Sequence, residues 1–272
     1  MNIGFTKMHG LGNDFIIIDN FNGHISLKGE EVALLCDRHR GIGADGLILV
    51  ETNPSKNSGQ EESVDCFMNY YNSDGSLAEM CGNGIRCVAR FLKDYYLKEK
   101  NIFTIATRAG DKEVIFEDDE TFSVNMGKPV FSHTDFPDGE INLEGLNFSC
   151  VSVGNPHAIA IVDDLNDHDL IAIGSNVENN SIFPNKINVE LVEQNNEKEF
   201  TVKVWERGCG ATMACGTAAT AVYARLKNIN AINSEIVINL PGGKLYLSEN
   251  ENDEIILRGK AKNVFSGVVD IN

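Results

Sequence analysis

Three short segments of this sequence occur twice, in the same order. Gly12-Asn13-Asp14-Phe15-Ile16-Ile17-Ile18-Asp19 returns as Gly154-Asn155-Pro156-His157-Ala158-Ile159-Ala160-Ile161-Val162-Asp163. Each reads as a Gly-Asn turn followed by an apolar, β-branched strand that ends on Asp. Met80-Cys81-Gly82-Asn83-Gly84-Ile85 returns as Ala214-Cys215-Gly216-Thr217-Ala218-Ala219, and each is a Cys-Gly step that opens a helix. Gly110-Asp111-Lys112-Glu113-Val114 returns as Gly242-Gly243-Lys244-Leu245, and each follows such a helix and starts a strand. The offsets are 142 residues (Gly12 to Gly154), 134 (Cys81 to Cys215) and 132 (Gly110 to Gly242), all near half of the 272-residue chain. A repeated order at a near-constant offset is the mark of a duplicated domain.

The elements follow from periodicity. After Cys81, the apolar residues Ile85, Val88, Ala89 and Leu92 recur at helical spacing, with Arg86, Arg90 and Lys93 off that face. After Cys215, the run from Ala218 to Leu226 has almost no polar interior, which predicts a helix buried on most sides. Glu30 to Arg40 reads as a charged helix, and Glu193 to Glu199 as a hairpin loop. Short strands are expected over 103–107, 113–116, 121–124, 201–205, 235–240 and 255–258. The fold class is α+β, with two pseudo-symmetric β-rich domains each wrapped around a central helix. The first spans about 1–125 and carries Cys81; the second spans about 126–261 and carries Cys215. The linker is expected at Ser123 to Pro129, where a predicted strand runs into Gly and Pro.

Composition removes several function classes. A formal charge of −17 opposes nucleic acid, whose phosphates need clustered Lys and Arg, and opposes an anionic membrane surface. No apolar run approaches the roughly 20 residues that span a bilayer. Lys7, His9, Asn13 and Asp14 interrupt the first 20 residues, unlike a signal peptide, so a cytoplasmic location is expected. Seven cysteines at this size and in that compartment do not predict a disulfide framework.

The other motifs fail on context. Gly41-Ile42-Gly43-Ala44-Asp45-Gly46 fits G-x-G-x-x-G, but a helix precedes it and a strand follows, the reverse of a dinucleotide site. Cys81-x5-Cys87 and Cys209-x5-Cys215 lack zinc-knuckle spacing, so no metal is expected. There is no Cys-x-x-Cys redox motif. A lone Cys-Gly step reads most simply as buried filler. Two in a duplicated frame, each at a helix start, read differently: exposed N–H groups and the helix dipole favour an anion there. A thiol so placed is expected to have a lowered pKa and to act as a base. The N–H groups of Gly82, Asn83, Gly216 and Thr217 can hold a carboxylate. Inverting an amino acid's α-carbon needs one acid/base group per face, which is what a duplicated thiol supplies.

Lys7-Met8-His9-Gly10-Leu11-Gly12-Asn13-Asp14-Phe15, Tyr71-Asn72-Ser73-Asp74-Gly75-Ser76, Met80 to Cys87, Gly154-Asn155-Pro156-His157, Glu206-Arg207-Gly208-Cys209-Gly210 and Ala214-Cys215-Gly216-Thr217 together resemble the diaminopimelate epimerase family, nearly end to end and in register. The resemblance implies an isomerase that needs no cofactor and interconverts LL- and meso-diaminopimelate for lysine and peptidoglycan precursors. It implies Cys81 and Cys215 as the acid/base pair, with His157 and Glu206 tuning their pKa values. Asn13, Asn72, Asn155, Asn188 and Arg207 would bind the substrate's polar ends, and Glu206 an ammonium. It further implies the diaminopimelate epimerase-like fold, a homodimer, and a last strand (within about 262–272) that returns to the first domain.

Ala211, Met213 and Ala218 depart from residues common in the family. The alternatives are a related cofactor-free racemase or isomerase with another substrate and, more remotely, a non-enzymatic thiol-redox or metal-binding protein.

Overall fold

A computed structural model describes residues 1–52, 64–118 and 120–271. The chain divides into two compact units, Met1–Val124 with Gly259–Asn272, and Asn125–Arg258.

In unit 1 the strands are β1 (Asn2–Gly10), β2 (Asn13–Asn20), β3 (Gly46–Glu51), β4 (Cys66–Asn72), β5 (Ile102–Thr107), β6 (Gly110–Asp118), β7 (Thr121–Gly127) and β17 (Lys262–Asp270). They pair in the order β17-β1-β2-β3-β4-β5-β6-β7, with β2–β3 and β4–β5 parallel and the rest antiparallel. Helix α1 (Gly29–Cys36) connects β2 to β3, and α2 (Gly82–Tyr95) connects β4 to β5. In unit 2 the strands are β8 (Glu140–Leu143), β9 (Leu146–Ser152), β10 (Pro156–Val162), β11 (Asn188–Asn196), β12 (Glu199–Glu206), β13 (Gly210–Thr212), β14 (Ile236–Leu240), β15 (Gly243–Glu249) and β16 (Ile255–Lys260). The order is β8-β9-β10-β11-β12-β14-β15-β16, again parallel only at β10–β11 and β12–β14. Helix α3 (Leu170–Glu178) connects β10 to β11, and α4 (Gly216–Asn228) follows β13 and precedes β14. The two units therefore repeat one another strand by strand and helix by helix.

Parallel neighbours need a crossover helix, and that is what places α2 and α4. In β2, Phe15 to Ile18 are all buried, because both faces of the strand are covered. Ile16 and Ile18 join Val32 and Leu35 of α1 in one cluster, while Phe15 and Ile17 point to the opposite face by alternation. In unit 2, Ala158, Ala160, Val189 and Leu191 pack with Ile173 and Val177 of α3. Gly174 allows this: a Cβ there would stand 2.5 Å from the Trp205 ring. Alternation turns His157 and Ile159 to the other face, that of α4.

Two expectations need correction. Arg86 is fully buried, because α2 is covered on the side that the periodicity assigned to solvent. The segment expected as a linker, 123–129, contains the boundary between the two units, after Val124, while strand β7 runs on to Gly127. The helix expected to reach Arg40 ends at Cys36, where Asp37 turns extended and accepts the N–H groups of His39 and Arg40. The Gly41 to Gly46 motif lies between α1 and β3 as a turn.

Candidate active site

Cys81 is the N-cap of α2. Its backbone is extended (φ −141°, ψ 121°), its carbonyl accepts the Ile85 N–H at 2.9 Å, and its sulfur accepts the Gly84 N–H at 3.4 Å. A cap residue with a side-chain acceptor satisfies donors that the first helical turn leaves unpaired. Asn13 Oδ1 receives the Asn83 amide at 3.1 Å and lies 3.7 Å from Cys81 Sγ. Asn13 is itself held, since its amide donates to Asp45 at 2.8 Å. Behind it Asp14 bridges Lys7 at 2.7 Å and Arg38 at 2.7 Å. Burial opposes ionisation of Asp14, but Arg38 and Lys7 outweigh it and hold the carboxyl at about 2. Asn83 also accepts from Arg86 Nη2 at 2.7 Å, and Arg86 Nη1 donates to the Gly82 carbonyl at 2.9 Å. The β1–α2 approach needs Gly10, where a Cβ would meet Asn83 and Arg86 at 3.1 and 3.2 Å. Asn72 is half-buried at the end of β4, with its amide on Ser76 Oγ at 3.0 Å.

Cys215 is the N-cap of α4, with φ −131° and ψ 120°. Its sulfur is 3.3 Å from Thr217 Oγ1, which also receives the Asn155 amide at 3.4 Å. Asn155 Oδ1 meets His157 Nε2 at 3.0 Å, and His157 Nδ1 meets Glu190 Oε1 at 2.7 Å. His157 and Glu190 are completely buried and hydrogen-bond one another inside the unit. Glu206 accepts from Thr212 Oγ1 at 2.5 Å and from the Cys215 thiol. Burial raises the Glu206 carboxyl. The expectation that a helix start lowers the pKa fails at Cys215: burial and then the Glu206 charge push this thiol well above its ordinary value, against the Thr217 hydroxyl. The dipole at a helix end is worth about 1 kcal/mol, less than the desolvation of a thiolate.

Asn188 is buried at the start of β11, where its amide donates to the Pro156 carbonyl at 2.8 Å and its oxygen accepts the Arg207 N–H at 2.9 Å. It thus ties the starts of β10 and β11 to the end of β12. The exposed Arg207 donates to the Asn185 carbonyl at 3.1 Å. Within unit 1 the structure gathers Cys81, Gly82, Asn83 and Asn13. Within unit 2 it gathers Cys215, Gly216, Thr217, Asn155, His157 and Glu206, with Asn188 and Arg207 linked to each other.

Sequence reasoning missed Arg86, Glu190 and Glu178. Glu178 holds the turn that carries Arg207, accepting from Trp205 Nε1 at 2.7 Å and the Gly208 N–H at 2.9 Å. Glu190 had a legible signal, a lone acid in the apolar run Asn188-Val189-Glu190-Leu191-Val192. Of the remaining cysteines, Cys209 is exposed, and Cys36, Cys66, Cys87 and Cys150 behave as core thiols. Burial pushes Cys36, Cys87 and Cys150 up to about 12 and raises Cys66 as well. Among the described residues no group of three or more His, Cys, Asp or Glu gathers as a metal site.

Two repeated β units, each built on a helix capped by cysteine, make up a duplicated-domain fold that solved structures share. Across essentially its full length the chain superposes on a phenazine biosynthesis protein of the PhzF family from Bacillus anthracis (TM-score 0.73, 20% identity, 100% of both chains). It also superposes on a hydroxyproline epimerase from Agrobacterium vitis (TM-score 0.72, 14% identity, 98% of this chain and 92% of that one). Those likenesses show the fold. The chain belongs to the diaminopimelate epimerase family: the family model "Diaminopimelate epimerase" matches residues 5–132 and 149–264. It is 41% identical to the diaminopimelate epimerase of Methanococcus maripaludis (98% of this chain, 99% of that protein). It is 40% identical to that of Halothermothrix orenii (100% and 99%) and 37% identical to that of Legionella pneumophila (99% of each).

Proposed function

We propose that this protein interconverts LL- and meso-diaminopimelate by proton transfer through Cys81 and Cys215, with no cofactor. The observation that carries this reading is the repeated N-cap cysteine, one on the central helix of each unit, in a chain of this family. One thiolate takes the α-proton and the other thiol returns a proton to the opposite face. The carbanion formed between these steps is stabilised electrostatically through the α-carboxylate, held by helix-start N–H groups of Gly82, Asn83, Gly216 and Thr217. Asn13, Asn72, Asn155 and Asn188 offer amides to the polar ends. Arg207 offers a planar fork to the non-reacting carboxylate, and Glu206 an acceptor for an ammonium. His157 and Glu206 set the proton affinities of the sulfurs. The product feeds lysine and peptidoglycan precursor synthesis.

No helix among the described residues is long and apolar enough to cross a membrane, and the reading places the enzyme in the cytoplasm. It also makes the enzyme a homodimer. Val264, Phe265 and Val268 on β17 are exposed apolar side chains of the kind that subunits bury. Analytical ultracentrifugation checks this, and a single monomeric species at micromolar protein contradicts it. The functional test is an assay of the purified protein on LL-diaminopimelate with no added cofactor. The meso isomer should accumulate to equilibrium; its absence overturns the reading.

A further inference from the structure

The matching registers make residues of the two units correspond, and their charges are opposite. Phe15 pairs with Gly46 as His157 pairs with Asn188, and Ile17 pairs with Ile48 as Ile159 pairs with Glu190. Tyr71 pairs with Leu47 as Trp205 pairs with Val189, so the next residues, Asn72 and Glu206, also correspond. Unit 2 thus holds His157, Glu190 and Glu206 where unit 1 holds Phe15, Ile48 and Asn72. On the central helices, counting from each cysteine, Arg86 corresponds to Thr220. Both are fully buried, and both bond back to the glycine after the cysteine: Arg86 Nη1 to the Gly82 carbonyl at 2.9 Å, Thr220 Oγ1 to the Gly216 carbonyl at 2.8 Å. One frame carries a cation beside Cys81 and a neutral hydroxyl beside Cys215.

Arg86 is an expensive residue to bury. Its two hydrogen-bonded nitrogens meet neutral oxygens, its Nε has no hydrogen-bond partner, and no carboxylate among the described residues forms an ion pair with it. An unpaired buried charge is strongly disfavoured unless an anion answers it. Burial accordingly pushes the guanidinium down to about 10, with Cys87 and Cys81 acting the other way. Cys87 is held up at about 12 and stays a thiol, so Cys81 is the other sulfur that acts on the guanidinium. The link is direct: Arg86 Nη2 holds Asn83 Oδ1 at 2.7 Å, and Asn83 donates to Asn13 Oδ1 at 3.1 Å. That same oxygen lies 3.7 Å from Cys81 Sγ and accepts its proton when the sulfur is a thiol, while the Gly84 N–H donates to the sulfur at 3.4 Å.

We propose that Arg86 is a positioning residue for Cys81: it fixes Asn83 and supplies the buried counter-charge that keeps the Cys81 sulfur a thiolate in the resting enzyme. Cys215, with Glu206 beside it and Thr220 in place of the cation, rests as the thiol. The proposal deepens the two-thiol reading and rests on it. Arg86 and Cys87 on α2 act on Cys81 electrostatically, and Asp45 acts through Asn13.

The test is iodoacetamide labelling of the whole protein across a pH series, read site by site by peptide mass spectrometry. The exposed Cys209 serves as the internal reference. Arg86→Met removes the charge and keeps the bulk; Arg86→Lys keeps the charge. In Arg86→Met, labelling of Cys81 at neutral pH should slow about tenfold or more relative to Cys209, the equivalent of one pKa unit or more. Turnover should fall, with KM little changed. Arg86→Lys should label Cys81 within about twofold of wild type by the same reasoning. Unchanged Cys81 labelling in folded Arg86→Met, or equal losses in the Met and Lys variants, overturns the proposal. If the Met variant does not fold, Arg86→Gln against Arg86→Lys makes the same comparison. Labelling needs no turnover, so an inactive wild-type protein would refute the epimerase reading while the labelling result still decides the role of Arg86.

Discussion

Cys215 and Cys81 occupy the same place in two copies of one motif, yet their surroundings differ residue by residue. Replacing either by Ala should abolish epimerisation while leaving the melting temperature within a few degrees, since a cap sulfur contributes about 1 kcal/mol or less. Ala at Cys36, Cys66 or Cys150 should retain activity and cost about 1–2 kcal/mol through a small cavity. Activity assays beside thermal melts separate the two classes, and full activity in Cys81→Ala or Cys215→Ala contradicts the mechanism. Asp14 gives a pH-dependent check. Its folded-state pKa of about 2 lies below the ordinary aspartate value of 3.8, so its contribution is present above about pH 4 and lost as pH falls toward 2. Asp14→Asn should therefore destabilise by about 2 kcal/mol at neutral pH, with the difference from wild type closing below pH 4. Urea titrations at both pH values measure it, and a deficit that persists undiminished at the acid end contradicts the assigned cause. The cap positions were legible because a Cys-Gly step at a helix start is a local signal. Arg86 was not. Periodicity places a polar residue outside, and only the tertiary cover over α2 shows that this side is inside.

At the scale of elements, the crossover helices fix where each cysteine stands, and their packing depends on close approaches that allow no side chain. Gly174→Ala would put a Cβ 2.5 Å from the Trp205 ring. Trp205 must then shift, and with it the Glu178 contacts that hold the Arg207 turn. A loss of about 2 kcal/mol in urea unfolding, with a raised KM for diaminopimelate, is expected; wild-type stability and KM contradict the coupling. Strands beginning at Asn13, Gly110 and Gly243 were readable from turn residues followed by β-branched runs. The unit boundary was readable too, at Val124 within the segment that ends on Gly127 and Pro129, but that β7 continues past it to Gly127 was not. The end of α1 was obscured likewise: His39 and Arg40 suit a helix, and only the backbone turn at Asp37 excludes them.

In the molecule as a whole, the repeated strand order shows that duplication supplied two equivalent frames, and divergence within them supplied opposite charges. The repeat was visible in the sequence because its anchors are short Gly-containing turns that tolerate little change. The charges were not, because correspondence between Ile48 and Glu190, or between Arg86 and Thr220, becomes defined only through register. The proposed mechanism requires two acid/base groups, each carrying a single exchangeable proton. The direct measurement is the reaction run in D₂O, with both stereoisomers analysed by mass spectrometry at a few per cent conversion. Two separate thiols predict product that carries deuterium at the inverted α-carbon, while the remaining substrate keeps its original hydrogen. Product that retains substantial original hydrogen at that stage would mean that one group serves both faces, and would contradict Cys81 and Cys215 as independent bases.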